Sequence, residues 1–158
     1  MKPLLSGAPA YFTFRLILGG LFLYAGVLKL MDPDGFAMTI NLYGLVSWRV
    51  STLLAYAIPT VEVVTGLALI LDVRGALAAI VVQLLGFMCV LLYALHIGLD
   101  ADCGCFGTPR ATDNDPVGPM EAFLRDGSML ISCAVIYWQR YFGGHIPRQP
   151  SRPFSKLR

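Results

Sequence analysis

The chain has 158 residues, 56% of them hydrophobic and 14% charged, with a mean hydropathy of +0.66. Soluble domains carry roughly 25% charged residues, so this composition excludes an ordinary soluble domain. The length suits one compact unit. A formal net charge of +2 provides no basis for a nucleic-acid partner, and none is predicted. We expect a small membrane protein that is surrounded by the lipid bilayer.

Four long apolar runs predict the fold. Each has about 18 to 24 residues, the length with which an α-helix crosses the hydrocarbon layer. The first run is expected to be retained, because no small-x-small cleavage site of a signal peptide follows its apolar core. In this run Gly19 and Gly26 lie on one face and predict the close approach of a neighbouring helix. The prediction is an all-α, integral membrane four-helix bundle over residues 1–142, with helices at about 11–30, 50–71, 75–98 and 119–142.

The segment 31–49 connects the first two predicted spans. It begins with Asp32 and Pro33, a capping residue and a first-turn proline that together indicate the start of a helix. Bulky residues then recur at helical spacing: Phe36, Ile40 and Tyr43. The pattern is typical of a short helix in the membrane interface, and an ordinary loop is about equally compatible with it.

The uneven distribution of charge predicts the orientation. Basic residues accumulate on the side that holds both termini: Lys2, Arg74, Arg140, Arg148, Arg152, Lys156 and Arg158. On the opposite side, acidic residues dilute the basic ones. The positive-inside rule therefore places both termini in the cytoplasm and makes the segments 31–49 and 99–118 periplasmic loops. Residues 143–158 are expected to form a basic, disordered cytoplasmic tail.

Two cysteines, Cys103 and Cys105, lie one residue apart in the segment 99–118. The pair has three possible roles: it exchanges disulfides with a partner, it forms a permanent disulfide that staples the loop, or it binds a metal ion. A ring closed across one residue constrains the unfolded chain little, so a staple would add little stability. A closed zinc site needs four ligands, and no metal site is predicted from two thiols. Disulfide exchange is favoured, because disulfides persist on the periplasmic side.

Charged residues near the pair would tune the reactivity of its thiols. Asp100 and Asp102 would raise the pKa of a nearby thiol, whereas Arg110, Arg125 or His96 would lower it if the loop folds over the bundle. The sequence leaves this balance open. His96, at the end of the third helix, is also a candidate proton relay, although an ordinary interfacial histidine is the somewhat stronger interpretation.

Cys89 and Cys133 lie inside the third and fourth predicted helices, at about the same depth in the membrane. One hypothesis makes them a second, internal pair that relays electrons from the loop. A role as small apolar fillers of the core is favoured, because buried free cysteine commonly has that role.

Glu62 lies near the middle of the second predicted span. A carboxyl group at that depth is costly, so it is expected to face the bundle interior and to be protonated or paired. Gln83 of the third helix, at a matching depth, is the predicted partner. Proton handling or recognition of a quinone head is one interpretation, and a structural hydrogen bond between helices is the other. The sequence leaves both open.

Several short stretches together match a known family. They are Ala25-Gly26-Val27-Leu28-Lys29-Leu30 with Asp32-Pro33, Phe36 and Tyr43, Pro59 with Glu62, Asp102-Cys103-Gly104-Cys105-Phe106-Gly107, and Arg125-Asp126. On these residues, and over nearly the whole chain up to about Phe142, the sequence resembles the MauE/DoxX-type family of small redox-associated membrane proteins. The resemblance implies a four-helix bundle in the bacterial inner membrane that works beside periplasmic thioredoxin-like proteins. In the methylamine-utilisation branch it implies help in forming or guarding disulfides of the methylamine dehydrogenase small subunit.

The residues and the resemblance together predict a thiol–disulfide redox protein of the bacterial inner membrane. Cys103 and Cys105 would exchange disulfides with a separate thioredoxin-like protein or protein substrate. Electrons would pass to or from a membrane carrier, and analogy with other four-helix disulfide enzymes suggests a quinone near Glu62. The alternative is a non-catalytic membrane assembly or chaperone subunit with a structural loop disulfide. Whether the chain is itself an oxidoreductase stays open.

Overall fold

The computed structural model describes residues 8–98 and 118–143. In these ranges the chain forms five helices: α1 (Ala8–Met31), α2 (Pro33–Leu42), α3 (Trp48–Ile70), α4 (Ala76–His96) and α5 (Pro119–Gly143). The predicted all-helical bundle is confirmed, and the four long helices begin and end within three residues of the bounds expected from the sequence. Cys103, Cys105 and the basic tail lie outside the described residues.

Contacts between α1 and α3 show that these two helices pack closely and run antiparallel. A methyl group built on Gly19 would lie 2.7 Å from a side-chain carbon of Ile70, and one built on Gly26 would lie 2.8 Å from the carbonyl oxygen of Pro59. Both glycines therefore allow close backbone approach, as predicted for this face. Rising residue numbers in α1 meet falling numbers in α3, so the helices point in opposite directions.

The bundle has two distinct ends. At one of them, which we call the Asp72 end, the side chains of Tyr11 and Arg140 both hydrogen-bond to Asp72. This end therefore holds the start of α1, the α3–α4 turn and the end of α5. The opposite end, which we call the α2 end, holds α2, the end of α4 and the start of α5, where Leu91 packs against Ala122.

The segment between the first two spans forms a helix, α2, rather than an ordinary loop. Asp32 caps it by accepting a hydrogen bond from the Gly35 amide at 3.0 Å. Phe36 and Ala37 are buried against Ala55 of α3. One face of α2 therefore packs against α3, as the spacing of its bulky residues suggests.

Three helices are long and apolar enough to cross a membrane: Ala10–Met31, Trp48–Ile70 and Ala76–His96. Many large apolar side chains on the outside of the bundle are exposed, as expected for residues that face lipid. The fifth helix has 25 residues and is therefore long enough, but it is more polar than the other three. That α5 also spans the membrane stays a prediction, supported by its position between the two ends of the bundle.

Candidate functional site

The most deeply buried charges of the described chain are two residues that face each other. The Lys29 ammonium donates a hydrogen bond to Glu62 Oε1 at 2.6 Å, and the two side chains are only 3% and 2% exposed. The ammonium also lies 5.3 Å from the ring centres of Phe36 and Phe87. A charge so far from water is tolerated when it is paired, so each of the two groups depends on the other.

The close contact between α1 and α3 brings this pair together. Lys29 lies three residues after Gly26, so both residues occupy one face of α1. A methyl group built on Gly26 would lie 3.0 Å from Cβ of Glu62. The approach that Gly26 allows therefore carries the lysine side chain to the carboxylate.

The predicted partner of Glu62 was wrong, although its burial in the bundle was expected correctly. Gln83 instead accepts a hydrogen bond from the Thr65 hydroxyl at 3.1 Å. Lys29 takes its place beside Glu62 because α1 packs directly on α3 along its glycine face, and a charged partner compensates a carboxylate better than an amide does.

A small cavity of about 30 Å³ lies beside the pair. Its polar lining consists of Lys29, Glu62, Arg125 and Asp126, and the rest is apolar. Arg125 Nε lies 3.6 Å from Asp126 Oδ1, and Asp126 is buried. Among the described residues, Glu62 Oε2 and Asp126 Oδ2 each lack a hydrogen-bond partner. The space is large enough for a water molecule, which would let a proton pass between the two carboxylates.

A second polar cluster ties the Asp72 end together. Asp72 accepts hydrogen bonds from the Tyr11 hydroxyl at 2.7 Å and from Arg140 at 2.9 Å, and it forms an ion pair with Arg15 at 2.8 Å. Arg140 also donates to the Tyr11 hydroxyl at 3.1 Å. Two arginines on one carboxylate connect α1, α5 and the α3–α4 turn, which points to a structural role.

Comparison with known protein families identifies the family of the chain. A family model described as Methylamine utilisation protein MauE matches residues 7–139. The chain belongs to the MauE family. Membership identifies it as a membrane protein of methylamine utilisation, and it confirms the MauE part of the resemblance, whereas the DoxX part is not supported. No curated protein and no solved structure matches the chain.

The MauE match includes every residue that the sequence singled out as a candidate, but the described structure unites only two of them. Glu62 and Arg125 line the same small cavity. His96 is exposed at the last position of α4, where it was expected, and it does not line the cavity with Glu62 and Arg125. Cys103 and Cys105 lie outside the described residues, so their surroundings stay a prediction.

The two helical cysteines of this MauE-family chain are free thiols in different surroundings. Cys133 is buried in the main core, together with Leu84, Met129 and Ile136. Cys89 is exposed on the outer surface of α4. The thiols are not joined to each other, and an internal electron relay through them stays a prediction. The burial of Cys133 agrees with a role as an apolar filler.

Two members of the site, Lys29 and Asp126, were named from the sequence only within the family-matching stretches and were not singled out as functional candidates. Lys29 ends the first apolar run and looks like an ordinary charge at the membrane surface. The signal that could have identified it is its three-residue spacing from Gly26, which predicts that it shares the face of α1 that meets another helix. Asp126 follows Arg125 in a polar helix start, and its burial depends on how α5 packs.

Proposed function

We propose that the chain is a membrane thiol–disulfide redox protein that supports disulfide formation in periplasmic proteins of methylamine utilisation. Cys103 and Cys105 are its exchanging pair. The observation that carries the proposal is the spacing of these two cysteines, one residue apart, in the segment between two helices of a membrane bundle. Methylamine dehydrogenase, through its small subunit, is the client that the family suggests.

The arrangement of the described helices supports this proposal. The end of α4 and the start of α5 meet at the α2 end, where Leu91 packs against Ala122. The segment with Cys103 and Cys105 therefore leaves and rejoins the bundle at one end, opposite the arginines of the Asp72 end. A partner that docks at the α2 end would meet this segment.

The proposed exchange needs no group beyond the two proteins. A thiolate of the client attacks the Cys103–Cys105 disulfide, which forms a mixed disulfide and releases one cysteine of the pair as a thiolate. A second client thiolate attacks the mixed disulfide. The client then holds a new disulfide and the chain holds two reduced cysteines, so two electrons have moved from the client to the chain.

The buried polar cavity supports a role in the proton transfers that accompany reoxidation of the cysteine pair after this exchange. Its carboxylates, Glu62 and Asp126, lie with Lys29 and Arg125 around a water-sized space. Arg125 and Asp126 are in the first turns of α5, shortly after the cysteine segment rejoins the bundle. Reduced Cys103 and Cys105 lose two protons when they form their disulfide again, and acids and bases at this position are suited to accept them.

Single cysteine variants of the full-length chain test the proposal. With Cys105→Ser, Cys103 should hold a client or a thioredoxin-like partner as a mixed disulfide that survives acid quenching and appears as a shifted band on a non-reducing gel. Cys89→Ser is the matched control, because its exposed thiol lies on the outside of α4. This control should leave disulfide formation in the client unchanged.

Two results would overturn the redox proposal. One is that neither Cys103→Ser nor Cys105→Ser traps a partner while the double variant still matures its clients. The other is a cysteine pair that stays oxidised in cells whatever reductant is present. That second result would indicate a structural staple in a non-catalytic assembly or chaperone subunit.

A further inference from the structure

A second cavity of about 260 Å³ lies at the α2 end, between α2, α3 and α4. Its lining is almost wholly apolar and includes Phe36, Leu54, Phe87 and Leu91. Lys29 is the one charged residue among the described residues that line it. The cavity thus combines an apolar interior with one buried cation.

We propose that this cavity binds a lipid-soluble molecule with a flat head that carries carbonyl oxygens, which is the chemistry of a membrane quinone. Ligand sites typically have volumes of about 300–1,000 Å³, so about 260 Å³ suits a head group rather than a whole lipid. An apolar tail would extend from the cavity between the helices into the surrounding hydrocarbon.

The side chains of the cavity favour this head group over a hydrocarbon chain. The Lys29 ammonium has three N–H donors, and Glu62 accepts a hydrogen bond from one of them. A carbonyl oxygen in the cavity would accept from another donor, whereas a hydrocarbon chain offers no acceptor. The rings of Phe36 and Phe87 flank the ammonium and offer flat apolar faces to a flat ligand.

The charge of the pair favours a neutral acceptor over an anionic one. Glu62 already compensates Lys29 at 2.6 Å, so the pair as a whole carries no net charge. An anionic head group would meet the Lys29 cation together with the nearby Glu62 carboxylate, and burying this extra negative charge would be costly. A neutral quinone avoids that cost.

The chemical use of this site rests on the proposed function. Reduced Cys103 and Cys105 would give two electrons and two protons to the quinone, so an S–S bond forms, two S–H bonds break and the quinone becomes a quinol. Lys29 and Phe87 line both the large and the small cavity. Lys29 would therefore lie beside the quinone oxygens, and Glu62 and Asp126 of the adjoining small cavity could supply the protons through it.

Binding of decylubiquinone to the purified full-length chain in lipid nanodiscs, measured by calorimetry, tests the site. Leu54→Trp fills the cavity and should raise the Kd by about tenfold or more, because a well-packed space admits either the larger side chain or the ligand. Leu53→Trp is the matched control, since Leu53 is exposed on the same helix and does not line the cavity. The control should bind as the unchanged chain does.

A photoreactive azidoquinone provides a second measurement that does not depend on a substitution. On the unchanged chain it should label residues of α2, α3 or α4 that line the cavity. Equal binding by both tryptophan variants, or labelling elsewhere in the chain, would overturn the proposal. Equally effective competition by decanol, which has no carbonyl oxygen, would show a general hydrocarbon site and would also overturn it.

The failure of this proposal can be distinguished from the failure of the proposed function. Quinone binding should persist when Cys103 and Cys105 are both changed to Ser, because the proposed contacts to the head group come from Lys29, Phe36 and Phe87. Mixed-disulfide trapping by Cys105→Ser should persist when Leu54→Trp blocks the cavity. Loss of one property while the other remains identifies which of the two proposals is wrong.

Discussion

Lys29 Nζ and Glu62 Oε1 lie 2.6 Å apart and join the end of α1 to the middle of α3. Both side chains are almost completely buried, so bulk water compensates neither charge. Removing one partner would leave the other as an isolated charge in an apolar interior, which is strongly unfavourable. The pair therefore behaves as one unit, and its two residues should be tested together.

We predict that Lys29→Met and Glu62→Met each lower the free energy of unfolding by about 3–5 kcal/mol, because each leaves one buried charge unpaired. The double variant should recover most of this loss, since it leaves neither charge. Unfolding in mixed detergent micelles, followed by circular dichroism, measures all four states of this cycle. A double variant as unstable as the sum of the two single variants would contradict the coupling of the two residues.

The same double variant separates a structural pair from a functional one. If it folds, it should still trap partners through its cysteines, because the pair does not take part in the exchange itself. We expect reoxidation of its cysteine pair by decylubiquinone to be at least about 100-fold slower, the usual size of a lost acid–base contribution. An unchanged rate, measured by quinone absorbance, would leave the pair with a structural role alone.

The sequence predicted the burial of Glu62 because a carboxyl group in a membrane span is costly in contact with lipid and is therefore expected to face the bundle interior. It did not predict the partner. Counting residues from the end of each apolar run gives the depth of a side chain in the membrane, but it does not show which helices are in contact. The actual partner depends on which helices touch. Gly26 brings α1 onto α3 and shifts Lys29 to the level of Glu62, and that contact is a property of three-dimensional packing.

The Asp72 cluster shows the same limit for the opposite end of the bundle. The sequence offers Arg15 inside an apolar run and Asp72 in a short turn, 57 positions further along the chain. Arg140 comes from the end of another helix. Only the antiparallel arrangement of the long helices brings these residues together. For α2, local signals such as Asp32 and Pro33 indicated a helix start but left an ordinary loop about equally compatible.

A methyl group on Gly26 should disturb the contact between α1 and α3. We predict that Gly26→Ala lowers the free energy of unfolding by about 1–3 kcal/mol, because the added carbon would lie 2.8 Å from the Pro59 carbonyl oxygen. Gly20→Ala is the matched control on the same helix, since nothing lies within 4 Å of a methyl group at that position. Equal effects of the two variants in detergent unfolding would contradict the packing of this face.

Asp72 should matter for stability through its charge and through its backbone. Its φ angle is +59°, a region that asparagine tolerates better than alanine. We predict that Asp72→Ala costs about 2–4 kcal/mol, because it removes the acceptor for two arginines and one tyrosine. Asp72→Asn should cost about half as much, since it keeps an acceptor oxygen and the favoured backbone. Thermal unfolding of both variants in the same detergent checks the order. An Asp72→Asn variant as stable as the unchanged chain would show that the charge of Asp72 contributes nothing.

The orientation of the bundle can be tested with single cysteines at its two ends. We use a chain whose four native cysteines are changed to Ala, with one new thiol at an exposed position: Asn41→Cys on α2, or Arg74→Cys in the α3–α4 turn. A membrane-impermeant maleimide should label Asn41→Cys in intact spheroplasts. It should label Arg74→Cys only after permeabilisation, because the basic residues of the Asp72 end favour the cytoplasm.

A third thiol, Ser155→Cys in the basic tail, tests whether α5 crosses the membrane. Arg140 hydrogen-bonds to Asp72 at 2.9 Å, so α5 ends on the same side of the bundle as the α3–α4 turn. The thiol at position 155 should therefore be protected together with the thiol at position 74. Labelling of position 155 from outside, with position 74 protected, would contradict a fourth span. Labelling of positions 74 and 155 from outside, with position 41 protected, would reverse the orientation and place the cysteine segment on the reducing side of the membrane.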